Sequence, residues 1–163
     1  MRGGAILLVV AAVGAAGAQG VPAQVADAVA VPTVEALTAG AAACATGKLS
    51  QEKMAERLVA TGWKAGAARE PGKGMAIRSY ARQGVKLFYF TSKPMTQCVA
   101  RGEVTADYDP DPMVAALTTQ LGKPPRVDEP GRRYLYSLRR LDILTLQIKS
   151  DAVGPHVELS VVH

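Results

Sequence analysis

Residues 85–102 read VKLFYFTSKPMTQCVARG. Residues 85–91 are rich in β-branched and aromatic types, Ser92-Lys93-Pro94 breaks the run, and 96–102 resume it. The pattern is strand, turn, strand. In the first strand Val85, Leu87 and Tyr89 alternate with Phe88 and Phe90, so both faces are apolar. Such a strand belongs at a sheet centre or under helices. The second strand carries Cys98, and the only other cysteine is Cys44, far upstream. Two cysteines in an oxidising compartment usually pair, and these lack the close C-x-x-C spacing of redox pairs. A structural disulfide between Cys44 and Cys98 is therefore expected, tying the helical first part of the chain to the sheet.

Upstream of that hairpin the chain reads as two helices. Thr33 caps the first, with Val34, Leu37, Ala41 and Cys44 on one face and Thr46-Gly47 as its end. Ser50 caps the second, which turns Met54, Leu58, Val59 and Ala55 inward and stops at Gly62. Trp63 follows as a core anchor. Residues 65–74 hold Gly66, Pro71, Gly72 and Gly74 and read as a loop. Residues 75–82 alternate again, with Met75, Ile77 and Ser79 opposite Arg78, Tyr80 and Arg82. Gln83-Gly84 is a tight turn into Val85.

Downstream, Asp111 is the expected cap and Pro112 the first residue of a third helix. Val114, Leu117 and Leu121 form its stripe, and Gly122 with Pro124-Pro125 ends it. A polar loop over 126–132 leads to three strands near 133–140, 141–149 and 156–162, the second and third joined by a turn at 151–155. The order is α-α-β-β-β-α-β-β-β. Two helix-plus-three-strand units are suggested, although their sequences do not match. Short connections make the sheet largely antiparallel, and the fold class is α+β with helices packed on one face.

The N-terminus reads MRGGAILLVVAAVGAAGAQG. A basic start, an apolar run and the small residues Ala16-Gly17-Ala18 give the layout of a secretory signal peptide over residues 1–18. The uncharged run is shorter than the ~20 residues of a spanning helix. Residues 19–32 read as a flexible leader and 33–163 as a single domain. The expected location is periplasmic or secreted, with membrane contact only through an uncleaved signal peptide. Loss of Arg2 with the signal lowers the formal charge from +5 to +4. A mildly basic exported chain suits an acidic partner or an anionic envelope surface. Aromatics make up only 5% of residues, too few for a stacking surface for sugars or single-stranded nucleic acid.

Familiar chemistry is not visible. Residues 66–74, GAAREPGKG, have five residues between the first Gly and Gly-Lys, and Gly74 stands where Ser or Thr is required, so they are no phosphate loop. Asp107, Asp109 and Asp111 match the start of an EF-hand loop. Pro112 and Thr118, however, occupy the required glycine and bidentate-acid positions. His156 and His163, seven apart on one strand, point to opposite faces and cannot share a metal. No cofactor or metal is expected. A basic-tyrosine surface remains: Arg78, Tyr80 and Arg82 on one strand, with Arg132, Arg133, Tyr134, Tyr136, Arg139 and Arg140 on a later one. Arg and Tyr are the residue types that anchor interfaces. The chain reads as an exported non-catalytic module that binds a protein or an anionic envelope component, not nucleic acid. The alternative is a small envelope hydrolase without a recognisable motif that uses His156, with Glu158 on the same strand face.

Overall fold

The structure is a computed structural model and describes residues 32–46, 50–72, 74–93, 95–139 and 142–163. The signal peptide, the leader up to residue 31, the turn residue Pro94, the helix-ending Gly47, and Lys73, Arg140 and Leu141 lie outside the described residues. The elements are α1 (Val34–Cys44), α2 (Gln51–Ala60), β1 (Lys64–Ala65), β2 (Arg69–Gly72), β3 (Met75–Arg82), β4 (Val85–Ser92), β5 (Met95–Glu103), α3 (Asp111–Leu121), β6 (Arg126–Glu129), β7 (Arg133–Ser137), β8 (Ile143–Asp151) and β9 (Gly154–Val162). The fold is α+β, with the three helices and six long strands in the order read from the sequence. β1, β2 and β6 are short additions where glycine, proline and charge had suggested loops. Edge pairing with β3 and β7 holds them extended.

All nine strands form one antiparallel sheet in the order β1-β3-β4-β5-β9-β8-β7-β6, with β2 also on β3. The two helix-plus-three-strand units meet back to back, because the last strand of each, β5 and β9, pair at the centre. Gln83 and Gly84 both adopt positive φ (45° and 78°) to close the β3–β4 hairpin.

Period-two alternation divides the sheet into two faces. The inner face carries Tyr80, Val85, Leu87, Tyr89, Cys98, Ala100, Val157, Leu159, Val161, Leu144, Leu146, Tyr134 and Tyr136, all buried. The helices pack on this face. Thr33 caps α1 by accepting from the Ala36 amide at 3.1 Å, and Ser50 caps α2. The α1 helix lies over β4, β5 and β9 with Leu37 and small residues (Ala36, Gly40, Ala41, Ala43) turned down. Cys44 at its end is bonded to Cys98 of β5, with Cα atoms 5.2 Å apart. In α2, Met54 and Leu58 are buried but Val59 is exposed. Trp63, just beyond α2, is buried.

The third helix begins one residue before the expected point. Pro110 is its N-cap and makes no side-chain cap bond, while Asp109 accepts from the Asp111 amide at 3.0 Å. Asp111 is thus the first helical residue, not the cap. Met113 joins Leu117 as a fully buried anchor of α3, with Val114 and Leu121 half-buried.

Two tyrosines next to α3 show what a buried hydroxyl is worth. Tyr136 Oη donates to the Val114 carbonyl at 3.1 Å. Tyr108 Oη is buried without a partner among the described residues. Losing a satisfied bond costs about 1 kcal/mol, whereas an unsatisfied buried polar group is itself a cost of about 1–3 kcal/mol. Tyr136→Phe is therefore expected to lower stability by about 1 kcal/mol. Tyr108→Phe is expected to leave stability unchanged or raise it by up to about 1 kcal/mol. Urea unfolding of the two variants checks the opposite signs. A Tyr108→Phe protein as destabilised as Tyr136→Phe would show that Tyr108 is hydrogen-bonded in solution.

Candidate functional site

The basic-tyrosine residues do not come together. Four strands (β4, β5, β9 and β8) separate β3, with Arg78, Tyr80 and Arg82, from β7, with Arg133, Tyr134 and Tyr136. The tyrosines belong to the core: Tyr80, Tyr134 and Tyr136 are buried on the inner face. Burial raises the phenol pKa of both Tyr80 and Tyr136 above the ordinary range. Arg82 reaches under the helices, donating to the Thr61 carbonyl at 3.1 Å and lying 3.8 Å from Glu35. Arg78 shares that inner face and bears electrostatically on Tyr80 and on Glu52 of α2. Arg133 is on the opposite face, 3.3 Å from Asp128. Arg139 is exposed beyond the end of β7.

The outer face of the sheet is different in kind. No helix packs on it among the described residues, and pairing register sorts its side chains into rows that run across the strands. One row is Ile77, Phe90, Gln97 and Val162, with Ile143 one step past Leu144 in β8. The next is Ser79, Phe88, Val99, Ser160, Thr145 and Leu135. Phe88 and Phe90 stack with centroids 6.3 Å apart. Val162 is 48% exposed and Ile143 46%. These two rows make an apolar stripe. Beside it runs a charged row, Ala81, Lys86, Arg101, Glu158, Gln147 and Arg133, followed by Glu103, His156 and Lys149.

The charged half hollows into a cleft of about 430 Å³ lined by Arg101, Gln147, Lys149, Asp151, His156 and Glu158, among others. His156 is only 1% exposed. Its Nδ1 lies 3.1 Å from the Gly154 carbonyl and 3.9 Å from Asp151 Oδ2. A carbonyl only accepts, so Nδ1 carries a proton. Asp151 takes the Val153 amide at 2.9 Å and Arg101 Nη2 at 3.1 Å. The Val153 amide is the main cause that holds its carboxyl below the usual range, with Arg101 and His156 adding to it. Lys149 and Glu158 pair at 2.6 Å.

His163 points the other way, into the inner layer, between the Asp142 carboxylate at 2.9 Å and the Cys44 carbonyl at 3.1 Å. Among the described residues no three His, Cys, Asp or Glu side chains converge to hold a metal ion. No described helix is long and apolar enough to cross a membrane.

The stripe of Ile77, Phe88, Phe90, Val99 and Leu135 was not singled out from the sequence. Alternation alone assigns each residue to a face of its own strand. Only the strand order shows that these faces join. No family model, curated protein or solved structure matches this chain.

Proposed function

We propose that the protein is an exported, non-catalytic binding module that engages a protein surface through the uncovered outer face of its sheet. The carrying observation is the apolar stripe along that face. In a sheet with helices on one side, the other side is ordinarily polar. Contiguous apolar surface rimmed by polar groups marks interaction sites. The disulfide supports an oxidising location, periplasmic or secreted.

The charges favour a protein over an anionic envelope component. On the six long strands each outer-face base has an acid beside it: Lys86 with Glu103, Arg101 with Asp151, Arg133 with Asp128, Lys149 with Glu158. Such a surface offers paired charges of both signs instead of a positive field.

Capture from envelope extract tests the reading. Wild type is compared with a Phe88→Glu/Val99→Glu variant and an Arg78→Glu control, each checked for folding. Proteins held by wild type and by the control should be lost from the outer-face variant. Equal retention by all three would overturn the assignment of the face.

A second reading rests on the cleft. A buried His156 with Nδ1 oriented by a carbonyl and an ionised Asp151 resembles the base-and-orienter half of a catalytic site. Among the described residues Ser150 is the one hydroxyl side chain that lines that cleft. Ester hydrolysis by the wild type that disappears in a folded His156→Gln variant would favour this hydrolase.

A further inference from the structure

The outer face has a property that its composition does not require: it is complementary to itself. Consider a two-fold axis parallel to the strands, above the seam between β5 and β9. This operation leaves the position along the strands unchanged and exchanges the two sides of the seam. Residues paired across β5 and β9 then face each other between two copies. Arg101 pairs in register with Glu158, so Arg101 of each copy lies over Glu158 of the other, twice by symmetry. By the same pairing Val99 lies over Ser160. β4 lies over β8 of the second copy. That sets Phe90 over Ile143, an apolar contact made twice by symmetry, and Phe88 over Thr145. Lys86 meets Gln147, and no base is set over a base in these rows.

We propose that the occupant of the uncovered face is a second copy of this chain, docked face to face about that axis. This rests on the assignment of the outer face as the binding surface and goes beyond it by naming the partner. The dimensions fit. Six long strands at about 4.8 Å spacing and eight residues at about 3.3 Å span roughly 29 by 26 Å, or about 750 Å² per copy. Two such faces bury about 1,500 Å², within the range of specific stable interfaces. Aligned sheets pack about 10 Å apart, a gap that the Phe88 and Phe90 side chains can fill. Each chain carries a formal charge of +5. The resulting long-range repulsion is screened beyond about 8 Å at physiological ionic strength.

The test uses two charge-reversed chains, Arg101→Glu and Glu158→Arg. The first has Glu at both positions and the second Arg at both. Alone, each sets like charges over like across the two-fold axis, and dimer affinity is expected to fall at least about tenfold. Mixed, the two chains place Glu over Arg at both contacts, and the dimer is expected to return as a heterodimer. Each chain still has like charges side by side on its own β5 and β9. Mixing does not change this, so recovery reports only on contact between chains. Sedimentation of the purified protein gives the mass, and native mass spectrometry identifies the heterodimer. If a charge-reversed chain fails to fold, Ser160→Lys on the half-exposed outer face replaces it. This sets an ammonium over the second copy's Val99 and should make the protein monomeric. A wild type that is monomeric at its highest soluble concentration would overturn the proposal, as would charge-reversed chains that do not pair on mixing. Either result leaves capture of a different protein on the same face as a separate question, decided by the Phe88→Glu/Val99→Glu comparison.

Discussion

Replacing Cys44 and Cys98 together with alanine is expected to lower stability by about 4 kcal/mol, the entropy of closing a loop of this length in the unfolded chain. The bond spans 54 positions, from the end of α1 to the middle of β5. For a domain of this size that corresponds to a fall in melting temperature of roughly 10–20 °C. The loss should concentrate in α1. That helix has 11 residues, and its buried face is mostly alanine and glycine, with Leu37 the only large apolar side chain wholly inside. Small side chains remove little apolar area from water, and an isolated helix this short is marginal. The disulfide thus supplies much of what a leucine-rich face would otherwise supply. Hydrogen exchange in the double variant should accelerate in α1 well before β4, β5 and β9. Identical melting of wild type and variant without reductant would show that packing alone holds the helix.

The fold was largely legible because its signals are local. Alternation in 85–102, the Gln83-Gly84 turn, the Thr33 and Ser50 caps and Gly122 past α3 each act within a few residues. The misreadings were also local. Asp109 took over the capping contact expected of Asp111, and β6 formed where Arg126, Asp128 and Glu129 suggested a loop, since an edge strand tolerates charge on its open side. The basic-tyrosine surface was a different matter. Tyr80, Tyr134 and Tyr136 lie on the helix-covered face. Which face the helices choose depends on the whole sheet, and the order β3-β4-β5-β9-β8-β7 depends on contacts between the two halves of the chain. Phe88 and Phe90 illustrate the same limit. Their apolar character suggested a strand at the sheet centre or under helices; β4 lies in the interior of the sheet between β3 and β5, and the described helices cover only the side of Leu87 and Tyr89. The mismatch between an apolar strand and an uncovered face became visible only once the layers were known, and it now carries the functional reading.

Gly40 gives the other large expected effect. Within an exposed helix, glycine to alanine stabilises by about 1 kcal/mol, so propensity alone favours Gly40→Ala in α1. Packing opposes it. A Cβ at Gly40 would sit 2.8 Å from the Cβ of Ala100 on β5, with Trp63 and Val85 behind at 3.6 and 3.7 Å. Ala100 Cβ is fixed to the strand backbone and has no rotamer to yield. The helix must then lift from the sheet over β4, β5 and β9, although Cys44 four residues on is bonded to Cys98. Overpacking of this kind costs about 1–3 kcal/mol or more, enough to exceed the propensity gain. The net expectation for Gly40→Ala is a loss of about 2 kcal/mol, so the sign is opposite to that predicted from the helix alone. Ala100→Gly removes the opposing atom. If steric contact is the cause, adding it to Gly40→Ala should recover stability, with a favourable coupling of about 1–2 kcal/mol in a double-mutant cycle. Additive losses would mean that α1 rides higher over β5 than the structure places it. The close approach that lets an alanine-rich helix seal the centre of the sheet would then have to come from Leu37 and the disulfide alone.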